Sequence, residues 1–251
     1  EPTATPEASS QHKNELKEKK ADLLDFPPKL VGEQLTYMDA ELFKKVVLHQ
    51  CLGSIWSQRN RPGNEHLAPT VRAAIAQFNA VASCIVPTCF GNPSMTARDR
   101  AVVVDHYFIQ GGAVCQILGN YSSLHAILVA LQSVSIHCLK RTWDNVSRKN
   151  FQTFKNLCRE DNPPGRELPI KLSQFYKSLQ RRQPPGQKVQ KRLPKKGVVP
   201  YIVTFLIDLV MLETAKGNEI NHSKNNKDQE YRVLTDIMLL QAAAGNYCLE
   251  P

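Results

Sequence analysis

The amino-acid sequence predicts an all-α fold, and three observations support this fold class. Apolar residues recur at helical spacing along most of the chain, no segment has the period-2 alternation of a half-buried strand, and no internal repeat is present. Hydrophobic residues make up 42% of the 251 residues and charged residues 22%, which is enough apolar material for a sizeable core. We expect roughly nine or ten helices.

The beginning of the chain differs in composition from the remainder. Residues 1–22 are polar, contain prolines and end in a charged run, so we predict a disordered leader or linker there. The apolar periodicity starts directly afterwards. A single folded domain is therefore predicted over residues 23–251.

The first predicted helix follows Phe26-Pro27-Pro28, because proline disfavours helical backbone at the residue before it. Thr36 has the character of an N-cap, with Asp39 three residues later in the arrangement of a capping box. The buried stripe of this helix is expected at Leu42, Phe43, Val46 and Val47.

The clearest amphipathic helix is predicted to start at Pro69. Its apolar residues at helical spacing are Val71, Ile75, Phe78, Ala82 and Ile85. A second helix is predicted over residues 98–117, but each glycine of Gly111-Gly112 costs about 1 kcal/mol relative to alanine. We therefore expect that helix to be weak or kinked.

The remaining helices are predicted from shorter apolar patterns. Ser122 or Ser123 is expected to cap one of them. Further helices are expected over residues 134–143, 151–157, 168–180 and 231–244.

Residues 198–212, VVPYIVTFLIDLVML, form the most apolar run and carry a single charge, Asp208. The run is shorter than the about 20 residues of a membrane-spanning helix, so we expect no transmembrane segment. Pro200 fits the first turn of a helix, where its missing N–H costs nothing. One face holds Leu206, Leu209, Val210 and Glu213, while Ile202, Phe205 and Leu212 lie on other faces. Such a helix is either a core helix, which burial statistics favour, or partly reserved for a partner protein.

Motifs for enzyme chemistry are absent from the sequence. It contains neither a glycine-rich nucleotide loop (GxGxxG or GxxxxGK[ST]) nor HExxH, so we expect no cofactor and no bound metal. His125 and His137 have no acidic residues at metal-ligand spacing, and no local signature supports a Cys-His site at Cys84 or Cys89. The seven cysteines are scattered, which favours free thiols in a reducing, cytoplasmic setting. We interpret the chain as a binding protein rather than an enzyme.

The net charge of +9 is unevenly distributed. Residues 177–196 contain eight basic side chains and no acidic one. Aromatic residues for base stacking are nearly absent there, so we expect no nucleic-acid binding. A solvated loop is the favoured interpretation, and a weak contact with anionic membrane is the alternative.

Several blocks in order resemble the catalytic domain of Ras-family guanine-nucleotide exchange factors, and within that family the Ral guanine nucleotide dissociation stimulators. The blocks are FPPKLVGEQLTYMDAELFKKV, LGSIWSQ, HLAPTVRAAIAQFNAVASCIV, RAVVVDHYF, LGNYSSLHAILVALQSVSIHCLKRTW and VVPYIVTFLIDLVMLETA. The resemblance extends from about residue 23 to residue 250. Agreement of several independent blocks is far more specific than any single motif.

The resemblance implies a helical bowl with a protruding helical hairpin that promotes GDP release from a Ras-like small GTPase. Ral is the favoured GTPase, with Rap and Ras as alternatives. Residues 200–215 are similar to the first arm of that hairpin. The family places an apolar residue near the GTPase magnesium, which corresponds to Val210, and a carboxylate near the phosphates, which corresponds to Thr214 with Glu213 beside it. The other residues expected to face the GTPase are Phe205, Ile207, Asp208 and Met211.

The chain also departs from the family pattern. Val203 replaces a glycine near the start of the hairpin, Ile207 replaces a common threonine, and Cys138 replaces an arginine before the Thr-Trp pair. Residues 222–231 replace a basic stretch that normally helps to form the second arm. The alternative function is therefore an exchange-deficient GTPase-binding or adaptor module that kept the fold.

Overall fold

The computed structural model describes residues 25–160, 196–216 and 223–250. The leader predicted over residues 1–22, the helix predicted over residues 168–180 and all of the basic segment except Lys196 lie outside these ranges. Within the described ranges the chain forms twelve α-helices and one π-helical segment, with no strand, so the predicted all-α class is confirmed. A single isolated parallel bridge joins Asn120 and Val199.

The order of the helices along the described ranges is as follows. They are α1 (Pro28–Lys44), α2 (Leu48–Cys51), α3 (Gly53–Trp56), α4 (Pro69–Phe90), α5 (Ala97–Val102), the π-helical segment (Val103–Ile109), α6 (Gln110–Leu118), α7 (Tyr121–Gln132), α8 (Val134–His137), α9 (Lys140–Asn145), α10 (Arg148–Glu160), α11 (Val203–Lys216) and α12 (Ser223–Ala244). The count exceeds the expected nine or ten because α2, α3 and α8 have only 4 residues each, too few for a periodic pattern.

Among the described residues, two clusters of buried side chains form the interior, and α4 contributes to both. Its C-terminal half packs into the first cluster through Ile85, together with α5, the π-helical segment, α6 and α7. Its N-terminal end packs into the second cluster through Val71, where α1, α11 and α12 also meet. The predicted buried stripe of α4 is therefore confirmed at Val71 and Ile85, which are 0% and 1% exposed.

Helix α1 begins earlier than the sequence pattern indicated. It starts at Pro28, directly after the extended Pro27, so Thr36 lies inside the helix and is not an N-cap. The Thr36 hydroxyl donates instead to the carbonyl oxygen of Gly32, four residues back, at 2.7 Å. This correction follows from the diproline, whose rings suit the first turn of a helix.

The two glycines at residues 111 and 112 do not interrupt their helix. Both lie inside α6, and the irregular backbone is the π-helical segment immediately before it. Both glycines are buried, and a Cβ on Gly112 would lie 3.6 Å from Leu124 Cδ1 and 3.7 Å from Ile127 Cγ2. Helix α6 packs against both α1 and α7, and this tertiary packing outweighs the low helix propensity of glycine, which explains why propensity alone misplaced the irregularity.

Two helical stretches have the length and composition of a membrane span: Pro69–Phe90 and Ala97–Leu118. The expectation of no transmembrane segment, which rests on the length of residues 198–212, does not take these two stretches of the described ranges into account. Core helices meet the same criteria, and both stretches supply core residues such as Val71, Ile85 and Val104. Length and composition alone are thus a weak indication of a membrane segment.

Helix α12 starts at Ser223, eight residues before the predicted start at Tyr231. The additional turns are rich in Lys, Asn, Asp and Gln, which carry no apolar periodicity. The helix packs along α11, and its residues Ile237 and Leu240 are buried in the second cluster. Helices α11 and α12 therefore pair as the two arms of a hairpin, whose linking residues 217–222 lie outside the described ranges.

Candidate interaction site along α11

Helix α11 is preceded by a short extended segment that is fixed to the scaffold. The Val199 N–H donates to the Gly119 carbonyl at 3.0 Å, and the Tyr121 N–H donates to the Val199 carbonyl at 2.9 Å. The helix begins at Val203, so Pro200 lies before the first turn and not within it. These two hydrogen bonds determine where the helix starts in space.

The packing of α11 separates its apolar residues into an inner and an outer set. Leu206 and Leu209 are each 1% exposed, whereas Ile207 is 53% and Met211 58% exposed. Phe205 is 3% exposed and belongs to the second buried cluster. The expectation that Phe205 faces a partner is thus corrected, because its ring already fills the core between α11 and its neighbours.

An open groove of about 860 Å³ runs beside the outer set. Its wall on the α11 side is apolar, and the opposite wall comes from α3, the turn after it and α4. The lining residues are Trp56, Ser57, Arg59, Asn60, Arg72, Ile75, Ala76, Asn79, Val203, Leu206, Ile207, Val210 and Met211. An exposed concave surface with an apolar wall is typical of a protein-binding site.

Two arginines stand at the edge of this groove. Arg72 donates through Nη2 to the Arg59 carbonyl at 2.5 Å and through Nε to the Leu67 carbonyl at 2.9 Å. Burial, and then the positive charge of Arg72, lower the pKa of Arg59, yet a guanidinium remains cationic at neutral pH. The ion pairs found among the described residues, Lys29–Glu33 and Lys44–Glu41, lie elsewhere. The Glu65 carboxylate interacts electrostatically with Arg72, so the two guanidinium groups leave this part of the groove edge with a net positive charge.

The structure distributes the predicted site residues over several positions. Ile207, Val210 and Met211 line the groove together. Thr214 continues the same side of the helix one turn later; it is exposed, and its hydroxyl donates to the Val210 carbonyl at 2.9 Å. Asp208 is half-buried and lies outside the groove lining.

Glu213 lies against α3 rather than in the groove. A Cβ added to Gly53 would be 2.7 Å from the Glu213 Cβ, so only glycine permits this approach of α3 to α11. Glu213 is half-buried at this contact. Three residues are predicted to lie nearest the nucleotide of the GTPase. Of these, Val210 lines the groove, and Glu213 and Thr214 lie towards the far end of α11.

The opposite wall of the groove was missed by the sequence analysis. Trp56 belongs to the block LGSIWSQ and Arg59 directly follows it, but neither residue has a sequence pattern that indicates a binding surface. Arg72 and Ile75 lie in the amphipathic helix predicted to start at Pro69. The only local signal was a tryptophan followed closely by an arginine. That signal does not show that these residues face α11, which lies more than 100 residues further along the chain.

No reactive thiol accompanies this surface. None of the seven cysteines forms a disulfide. Burial raises the pKa of Cys51 and of Cys115 to about 12, and that of Cys89 to about 11, so these thiols stay protonated at neutral pH. Within the described ranges no cluster of His, Cys, Asp and Glu has the arrangement of a metal site.

Comparison with known proteins gives a consistent result. The RasGEF domain family matches residues 30–229. The chain is 47% identical to the human (Homo sapiens) Ral-GDS-related protein over 255 aligned residues, which cover 100% of this chain and 54% of that protein. It is 42% identical to the mouse (Mus musculus) Ral guanine nucleotide dissociation stimulator-like 1, over 92% of this chain and 32% of the relative. The mouse Ral guanine nucleotide dissociation stimulator-like 3 is 43% identical over 92% of this chain and 33% of its own length. The chain thus spans between a third and about half of the relatives it matches.

Proposed function

Because the chain belongs to the RasGEF domain family, we propose that it is a guanine-nucleotide exchange factor that promotes GDP release from a Ras-like small GTPase. Ral is the favoured GTPase, with Rap and Ras as alternatives, since the relatives carry Ral in their names. The observation that supports this best is the groove beside α11, where Ile207, Val210 and Met211 are together and accessible.

The proposed mechanism is a binding linkage. A partner that binds nucleotide-free GTPase more tightly than the GDP-bound form must weaken GDP binding by the same free energy. No covalent bond is made or broken, so the protein acts as a regulator of GTPases and not as a catalyst of bond formation. Free GTP can then occupy the vacated site.

The chemistry of the groove suits a particular kind of GTPase segment. Ile207 and Met211 would bury apolar side chains, and their burial contributes about 25 cal/mol per Å² of apolar surface removed from water. Arg59 and Arg72 would attract carboxylates at the edge. We therefore propose that an apolar segment with acidic residues lies in the groove, while Val210, Glu213 and Thr214 act along the side of α11 that approaches the nucleotide site.

Fluorescent-GDP release from Ral, Rap and Ras tests this proposal directly. The purified chain is expected to accelerate release from at least one of them, with Ral the most responsive. Met211→Asp is expected to reduce the rate at least tenfold, because a carboxylate replaces an apolar contact in the groove. Met238→Asp is the matched control, since Met238 is similarly exposed at 50% but lies on α12 outside the groove lining. Equal losses in both variants would contradict the proposed surface.

The second candidate is a GTPase-binding or adaptor module without exchange activity. The position of Ile207 favours it, because this bulky residue lines the groove where the family commonly has a threonine. Stable capture of nucleotide-free GTPase, with no acceleration of GDP release from Ral, Rap or Ras, would establish this alternative and exclude the first.

We propose a cytoplasmic site of action, with weak recruitment to anionic membrane as the alternative to a solvated basic loop. The proposal rests on the eight basic residues of segment 177–196 and on seven cysteines that form no disulfide. Fractionation of cells that express the chain would contradict it if the protein were recovered in a lumenal compartment.

A further inference from the structure

Three parts of the chain converge where the hairpin joins the scaffold. They are the turn after α6 at Gly119, the segment 197–199 that leads to α11, and Tyr247, which follows α12. The Tyr247 hydroxyl donates to the Leu118 carbonyl at 2.6 Å. The bases of both hairpin arms are therefore attached to one turn.

Glycines make this junction unusually close. A Cβ on Gly119, whose φ is +75°, would lie 2.7 Å from the Gly197 carbonyl oxygen, and a Cβ on Gly197 would lie 2.5 Å from Cζ of Tyr247. No side chain fits at either position without displacement of its neighbours. The ring of Tyr247 thus lies directly against the backbone that leads to α11.

A buried polar network fixes the turn from the other side. The Asn120 side-chain amide donates to Asp39 Oδ2 at 2.8 Å, and the Ser123 hydroxyl donates to the same oxygen at 2.5 Å. Asn120 also accepts the Ser123 N–H at 3.1 Å, which caps α7. Because this turn is held by α1 and α7, it gives Tyr247 and residues 197–199 a rigid surface to press against.

We propose that Tyr247 is a positioning residue for nucleotide exchange. Its ring holds residues 197–199 against the turn at Gly119 and so sets the direction in which α11 leaves the core. The inference rests on the proposed exchange function. Met211 lies about 12 Å along the helix from Val203, so a tilt of only about 5° at the base would move it by about 1 Å. Displacements of this size are sufficient to disturb the contacts that a binding surface makes with its partner.

The first test compares Tyr247→Ala with Tyr247→Phe and with the control Tyr231→Ala. Tyr231 is 72% exposed on α12 and takes no part in the junction. At a temperature well below unfolding, Tyr247→Ala is expected to lower the maximal GDP-release rate about tenfold while the half-saturating concentration changes less than about threefold. Tyr247→Phe keeps the ring and should retain more activity than the alanine variant. A Tyr247→Ala protein with the wild-type maximal rate would overturn the inference.

A double-mutant cycle tests the contact itself. Gly197→Ala alone should displace the Tyr247 ring and lower the rate, whereas Gly197→Ala added to Tyr247→Ala should cause little further loss, because the clashing ring is gone. Purely additive effects would overturn the proposed contact.

Amide hydrogen exchange of α11 separates failure of this inference from failure of the proposed function. If the wild-type chain releases GDP from no GTPase, the exchange function fails, yet loss of α11 protection in Tyr247→Ala would still support the positioning role. Unchanged protection of α11 in that variant would refute the role whatever the activity.

Discussion

The guanidinium of Arg59 lies 4.0 Å from the centroid of the Trp56 ring, and its Nη1 donates to the Trp56 carbonyl at 3.0 Å. Two independent contacts thus hold one cation in a defined orientation at the edge of the groove. A preoriented charge loses little side-chain entropy when it meets a carboxylate, so this pair is well suited to recognition.

We expect Arg59→Glu to slow association with the GTPase and to reduce the salt dependence of exchange. Charge reversal at the groove edge would repel an acidic partner segment, and such electrostatic effects act mainly on the association rate. Stopped-flow measurement of complex formation at several salt concentrations checks this. Arg61→Glu makes the same charge change at an exposed position nearby and should have a smaller effect. If both variants were equal, net charge and not the groove would be responsible.

Val210→Asp is expected to reduce exchange at least tenfold with a small change in melting temperature. Val210 is half-buried and lines the groove, so a carboxylate there can reach solvent. Leu206→Asp provides the contrast, because Leu206 is 1% exposed and a buried unpaired carboxylate costs several kcal/mol of stability. Measurement of both melting temperature and GDP release for each variant decides whether Val210 lies in the groove or in the core. A fall in melting temperature as large as that of Leu206→Asp would place Val210 in the core.

Asp39→Asn is expected to preserve the fold and to remove a pH dependence of stability. Burial raises the pKa of Asp39 above its usual 3.8, with hydrogen bonds from Ser123 and Asn120 opposing the shift. The folded state therefore binds more protons than the unfolded state, so this group makes the protein less stable as the pH rises from 3.8 through the raised pKa. Asparagine keeps one acceptor oxygen for both donors but carries no charge.

Urea unfolding of wild type and Asp39→Asn at several pH values measures this effect. The variant should become increasingly more stable than wild type as the pH rises. The difference in unfolding free energy should be smallest near pH 3.8. Asp39→Ala is the control that leaves the Asn120 and Ser123 donors unpaired, which costs about 1–3 kcal/mol per group. A difference between wild type and Asp39→Asn that does not change with pH would show that Asp39 titrates normally.

Segment 177–196 is expected to bind anionic vesicles weakly. Its eight basic residues should be attracted to a negative surface by about 1 kcal/mol each when close to it, and salt should weaken this attraction. Co-sedimentation with phosphatidylserine-containing vesicles at low and physiological salt measures the binding. Equal binding to neutral vesicles would leave the solvated-loop interpretation in place.

The local pattern of the sequence determined which segments are helical and how some of them are buried. Val71 and Ile85 recur at helical spacing, and both are buried as predicted. The ordered blocks were sufficient to identify the family, because several independent segments agreed with it. Helix α12 was located but its start was misplaced, since its polar first turns have no apolar period to detect.

Only the tertiary structure decided which side of α11 faces outward. Phe205 and Met211 are both apolar residues of a helix that is apolar nearly all round, so periodicity could not distinguish the buried ring from the exposed side chain. That distinction comes from α2, α3 and α12, which pack on one side of α11 and leave the other side open. Tertiary packing also places the arginines at the edge of the groove. Arg59 and Met211 are brought to one groove by long-range packing that no local sequence pattern encodes.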